Sequence, residues 1–206
     1  MQETDGPGWR VTMDTSGPML LALYLKDNAG LVGAGLPPLA PAFPKVREAD
    51  HHQLTQHVGG VGALRREWEA WWSSLIENYP DMVPEVAPPE FAAFREAPAL
   101  QRSLQAHFGA ALTWARERRA DYERLEARRR ARGDTRVIQE IVAERQLEVG
   151  PLPNDFELTI IELPLAEERA WLVDADKVIM SQSLMDDPEV LRSYLSPVIE
   201  MIAQSV

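Results

Sequence analysis

The stretch DFELTIIEL, residues 155 to 163, decides the fold class, because the apolar period of the chain changes there from that of helices to that of strands. It is short, rich in β-branched and aromatic residues, and preceded by the turn-forming run Gly150-Pro151-Leu152-Pro153. RAWLVDA at 169 to 175 follows after the connection PLAEE, and KVIMS at 177 to 181 supplies a third strand. The three read as a small antiparallel β-meander. Asp187 is placed to cap a helix opening at Pro188, and Ser196-Pro197 repeats the device, so the chain is expected to continue into short, broken helices.

Upstream of 150 the period is helical. In ALRREWEAWWSSLIENYP the residues Leu64, Trp68, Trp71, Trp72, Leu75 and Tyr79 form one broad apolar stripe, and Pro80 marks its end. From about Ala99 a second stripe runs through Leu104, Phe108, Leu112, Tyr122 and Leu125 to the arginines at 128 to 132. A single helix there is roughly 50 Å long at about 1.5 Å per residue. Its second half has only Tyr122 and Leu125 to bury, so that half is expected to project or to pack on a second copy of the chain. Gly133 ends it, Asp134 or Thr135 can cap the next helix, and Val137, Ile138, Ile141 and Val142 form that helix's apolar face.

Nearer the start, MLLALYL at 19 to 25 is an apolar run with turn signals on both sides, which reads as a buried strand able to join the sheet. Prolines 37, 38, 41 and 44 make the following segment a loop or semi-rigid arm. The fold class expected is therefore α+β: a mainly helical body with a long Arg-rich helix, and a small C-terminal antiparallel β-meander with short helices. Residues 1–150 form the helical region with its N-terminal strand and Pro-rich arm. Residues 151–206 form the meander and last helices, packed into the same domain.

With 206 residues and 45% hydrophobic content the chain can bury a core. A net charge of −11 opposes general affinity for nucleic acid or anionic membranes. There is no cysteine, hence no thiolate ligand, nucleophile or disulfide. MQETDGPGWR is acidic where an export signal is basic and then apolar, and no apolar run approaches the roughly 20 residues of a membrane-spanning helix, so the expected location is the cytoplasm.

Three clusters carry candidate chemistry. HHQLTQH holds His51, His52 and His57, a possible metal site. Their spacing puts no three on one helical face, and on a strand His51 and His57 lie roughly 20 Å apart, so only an irregular loop can gather them, with Glu48, Asp50 or His107 as further ligands. Glu157, Glu162, Asp174 and Asp176 flank the strands beside Lys177, raw material for a metal-dependent hydrolase, although Ala175 stands where the nuclease pattern needs an acid. Without that acid they read as a solvated strand edge. Residues 116 to 136 hold nine arginines and five acids, a local +4 against −15 elsewhere, which suggests nucleic acid or an acidic partner, although the interleaved acids weaken phosphate contacts. GLVGAG at 30 to 35 reverses the order of the dinucleotide fingerprint and runs into Pro37-Pro38, which excludes the usual phosphate cradle.

No motif names a cofactor or a catalytic group. The function expected is a non-catalytic interaction or scaffold protein, homo-oligomeric, with contacts made by Trp68, Trp71, Trp72, Tyr122, Arg128, Arg129 and Arg130. The alternatives are a metal-dependent hydrolase and an Arg-mediated nucleic-acid binder.

Overall fold

The computed structural model describes residues 2–6, 9–80, 86–133, 136–149 and 156–204. The fold is α+β: helices and a five-stranded mixed sheet. The chain divides into two compact units, residues 16–119 and residues 1–15 with 120–206. A boundary near 150 follows from where the period changes, but the compact units divide elsewhere. The first fifteen residues group with the last eighty-seven because they supply two strands of the sheet.

In the unit built from 16–119, helix α1 spans Gly17–Asn28, α2 His52–Thr55 and α3 Gly60–Glu77, and α4 begins at Pro98. The strand expected at Met19–Leu25 is instead the centre of α1. Met19, Leu20, Leu21, Ala22, Leu23 and Leu25 are all buried, so the run shows no period, and a period cannot tell a helix buried all round from a buried strand. The flanking residues decide it. The Ser16 side chain accepts from Met19 N–H, and Pro18 occupies the first turn, where its missing donor costs nothing.

The stripe of α3 packs as its spacing implies. Trp68 and Trp72 stack with ring centroids 5.5 Å apart, and Trp71 meets Phe94 edge-on at 5.3 Å. Trp68 Nε1–H donates to the Ala22 carbonyl at 2.8 Å, tying α3 to α1. All three indoles are buried.

In the other unit the strand order is β1-β2-β3-β5-β4, with β1 Gln2–Gly6, β2 Trp9–Asp14, β3 Phe156–Leu163, β4 Ala170–Asp174 and β5 Lys177–Ser181. The three C-terminal strands lie where their period puts them, but they do not form a plain antiparallel meander. β5 inserts between β3 and β4, running parallel to β3 and antiparallel to β4. β2 lies parallel to β3, with Val11 opposite Leu158 and Met13 opposite Ile160. One face of the sheet, carrying Trp9, Val11, Met13, Ile160 and Val178, packs on α5 (Arg136–Val149) and α6 (Pro188–Gln204).

The last helix is continuous rather than broken at Ser196-Pro197. Leu191, Leu195 and Ile199 are buried at a spacing of four across Pro197, and that burial offsets the one backbone bond the proline removes. At its start Asp187 Oδ1 accepts from the N–H groups of Glu189 and Val190, as a cap should. Asp134, Thr135 and the Gly150–Pro153 stretch lie outside the described residues.

Candidate functional site

Three consecutive side chains at the end of α1 organise the proline arm. Lys26 is 1% exposed; its Nζ donates to the carbonyls of Ala40 at 3.1 Å and Leu39 at 3.4 Å and pairs with Asp27 Oδ1 at 2.7 Å. Asp27 Oδ2 accepts from Ala42 N–H at 2.6 Å. Asn28 Nδ2 donates to the Arg47 carbonyl at 2.8 Å, and the Asn28 carbonyl accepts from Ala49 N–H at 2.7 Å. An arm with little regular structure of its own is thus held at four levels by one helical turn. Buried polar groups demand such partners, and an irregular backbone supplies the carbonyls.

The arm has two faces. Leu31, Ala34, Leu39, Ala40, Ala42 and Val46 are buried against the body. Val32, Leu36 and Phe43 face outward at 80%, 79% and 67% exposure, with Pro38, Pro41 and Pro44 exposed beside them. Between the arm and α1 lies a cleft of about 140 Å³, with Leu31, Leu39 and Val46 in its lining and Lys45 and Glu48 among its charged groups.

The histidines do not converge. His51 is 2% exposed, whereas His52 and His57 are exposed on α2 and on the single 3-10 turn after it. His51 Nε2 lies 3.0 Å from Asn28 Oδ1 and Nδ1 lies 3.1 Å from Ser103 Oγ. Because the Asn28 amide nitrogen donates to Arg47, its oxygen must accept, so Nε2 of neutral His51 carries the proton. Nδ1 is then an acceptor for the Ser103 hydroxyl, which also has the Ala99 carbonyl within 3.0 Å. The His107 ring stands 4.7 Å away. Burial, and secondarily His107, lowers the His51 pKa to about 4 against the opposing pull of Asp50, and burial also lowers that of His107. His51 is a neutral core histidine joining α1 to α4.

The second half of α4, which extends to Arg132, does not project. From Ala120 it belongs to the sheet-containing unit, and Tyr122 and Arg129 are buried there. Arg129 Nη1 donates to Glu162 Oε2 at 2.6 Å, Nε to Asp186 Oδ1 at 3.2 Å, and Nη2 to the Gln182 carbonyl. Tyr122 Oη donates to the other Glu162 oxygen at 3.4 Å. Burial raises the pKa of Glu162, opposed by the Arg129 guanidinium, and raises that of Tyr122, aided by the Glu162 charge.

The hairpin acids therefore part company. Glu162 is interior, on the face shared with Leu158 and Ile160, because β3 is a central strand and not an edge. Glu157, Asp174 and Asp176 are exposed, and Asp174 Oδ1 accepts from Ala175 N–H in the turn. Among the described residues no three His, Asp or Glu side chains gather to hold a metal ion.

Of the expected contact residues, Trp68, Trp71, Trp72, Tyr122 and Arg129 are interior, while Arg128 and Arg130 are exposed, Arg130 pairing with Glu126 at 2.9 Å. The outward side chains of the arm, Val32, Leu36 and Phe43, are exposed apolar residues that the spacing of the sequence did not single out. Their signal was an apolar stretch with prolines too frequent for a core helix. Among the described residues no helix is long and apolar enough to cross a membrane. No protein-family profile, curated protein or solved structure matches the chain.

Proposed function

We propose that this chain is a non-catalytic interaction protein of the cytoplasm whose contact surface is the outward face of the arm at residues 30–46. The observation that carries the reading is bracing combined with exposure: Lys26, Asp27 and Asn28 hold the arm's backbone at Ala40, Ala42 and Arg47, on either side of the exposed Phe43, while Val32 and Leu36 are exposed earlier in the same arm. An apolar segment already fixed in place loses little conformational entropy when a partner covers it, which favours binding. Isolated exposed apolar residues are ordinary, but Val32, Leu36, Pro38, Pro41, Phe43 and Pro44 are six exposed apolar residues within thirteen positions of one loop. The arm is not suited to a reader of extended Pro-x-x-Pro peptides, since the residues between Pro38 and Pro41 are buried and their carbonyls bind Lys26.

The reading is tested by placing the photo-reactive residue benzoylphenylalanine at position 43, and separately at Tyr194 as a partly exposed control, and irradiating cells that express the chain. A discrete adduct at 43 that disappears with Leu36→Glu is the expected result. Labelling at 43 no stronger than at 194 sinks the proposal.

A further inference from the structure

We propose that the cleft between the arm and α1 binds a small apolar zwitterion, an α-amino acid with an aliphatic side chain. The inference stands independently of the interaction reading above. Shape is the first argument. Leu31, Leu39 and Val46 give the lining an apolar interior, and Lys26 and Asp27 hold the arm side of it through the Leu39 and Ala40 carbonyls and the Ala42 N–H. A recess already formed costs a ligand little to enter. Its volume of about 140 Å³ is close to the ~150 Å³ of an apolar cavity that admits a benzene ring, so a leucine side chain fits and a drug-sized body does not.

Charge is the second, and it selects the head group. The charged side chains of the lining, Lys26, Asp27, Lys45 and Glu48, sum to zero. Lys26 and Asp27 satisfy each other at 2.7 Å, and the arm's backbone takes their remaining hydrogen bonds. Lys45 and Glu48 are exposed, and neither has an ion pair or hydrogen bond among the described residues. A lone carboxylate there meets Lys45 but also the like charge of Glu48, and a lone amine meets the reverse. An ammonium and a carboxylate on one carbon answer both. Glu48 Oε2 lies 3.9 Å from where a Cβ at Gly30 would stand, and at Gly33 no atom lies within 4 Å of that place, so this glycine-containing wall leaves room for the head group. Burial of a short apolar side chain with two exposed ion pairs gives a dissociation constant on the order of 1 mM.

The test is a titration of the nitrogen-15-labelled full chain at pH 7 with leucine, to about ten times the expected dissociation constant, followed by amide shifts. The expected result is saturation, with the shifts centred on Gly30, Gly33, Lys45 and Val46. Glycine, which lacks the apolar body, gives no saturation. The analogues 4-methylpentanoate, without the ammonium, and 3-methylbutylamine, without the carboxylate, bind roughly threefold or more weakly. Lys45→Met and Glu48→Gln each weaken leucine by about threefold, and since both positions are exposed the variants keep the wild-type circular dichroism spectrum. Leucine that does not saturate, or saturates with shifts away from the cleft, overturns the site. Analogues that bind as tightly as leucine overturn the zwitterion as ligand, and binding indifferent to both substitutions overturns the part given to Lys45 and Glu48. An adduct at position 43 is a separate readout, so either reading can fail alone.

Discussion

Acidifying the protein through the range between pH 7 and pH 5 tests the placement of His51. An unfolded histidine titrates near 6.5, and in the fold burial holds His51 near 4. Since the folded value is the lower, the stabilising contribution is fully present above about pH 6.5 and is lost as pH falls toward 4. Linkage with these two values makes the fold about 2 kcal/mol less stable at pH 5 than at pH 7, and about 3 kcal/mol less by pH 4. The ring is 2% exposed and both nitrogens have fixed partners, so solvent screening takes little from that figure.

Other groups titrate in the same range, so the measurement is a double difference: urea unfolding of wild type and of His51→Gln at both pH values. Tryptophan fluorescence is the probe, since Trp68, Trp71, Trp72 and Trp114 all lie in the unit that contains His51. The variant is expected to be less stable at pH 7, with its Gln side chain still able to reach Asn28. Its loss on going to pH 5 is smaller than that of wild type by about 2 kcal/mol. Parallel losses, within about 0.5 kcal/mol, would mean that His51 is not held neutral by burial.

In the sheet-containing unit, Glu162→Ala leaves the buried Arg129 guanidinium short of its closest carboxylate and is expected to cost about 3–5 kcal/mol. The double replacement Arg129→Met with Glu162→Leu costs less than either single one, and strictly additive costs in urea unfolding would refute the pairing. In α3, Trp68→Phe removes the bond to the Ala22 carbonyl, whereas Trp72→Phe removes a buried indole N–H that has no partner among the described residues. Thermal or urea unfolding should show Trp68→Phe the costlier by about 1 kcal/mol, and the reverse order would refute the assignment.

Much of the helical layout was legible because local chemistry specifies it. The stripe from Leu64 to Leu75, the long stripe of α4 and the Asp187 cap depend on neighbours within a few residues, and each is found where its spacing puts it, whereas Tyr79 falls in the turn after α3 ends at Glu77. The first sheet strands were also legible in principle: Trp9, Val11 and Met13 alternate with Arg10, Thr12 and Asp14, a strand period overshadowed by the stronger apolar run at 19–25. That run misleads because complete burial erases the period that distinguishes helix from strand.

The sequence by itself determined the α+β class, the extent of α3 and α4, and the positions of the last three strands, since periodicity and caps are local properties. Only the tertiary structure decided which strands are neighbours, that β5 runs parallel to β3, and that Glu162 on a central strand is interior. It also decided the fate of the histidines. Whether His51 meets His57 or Ser103 depends on contacts fifty residues apart in the chain, and no spacing within HHQLTQH encodes them. The arm shows the same division: its prolines announce a loop, but which of its residues face outward follows from where Lys26, Asp27 and Asn28 hold its backbone.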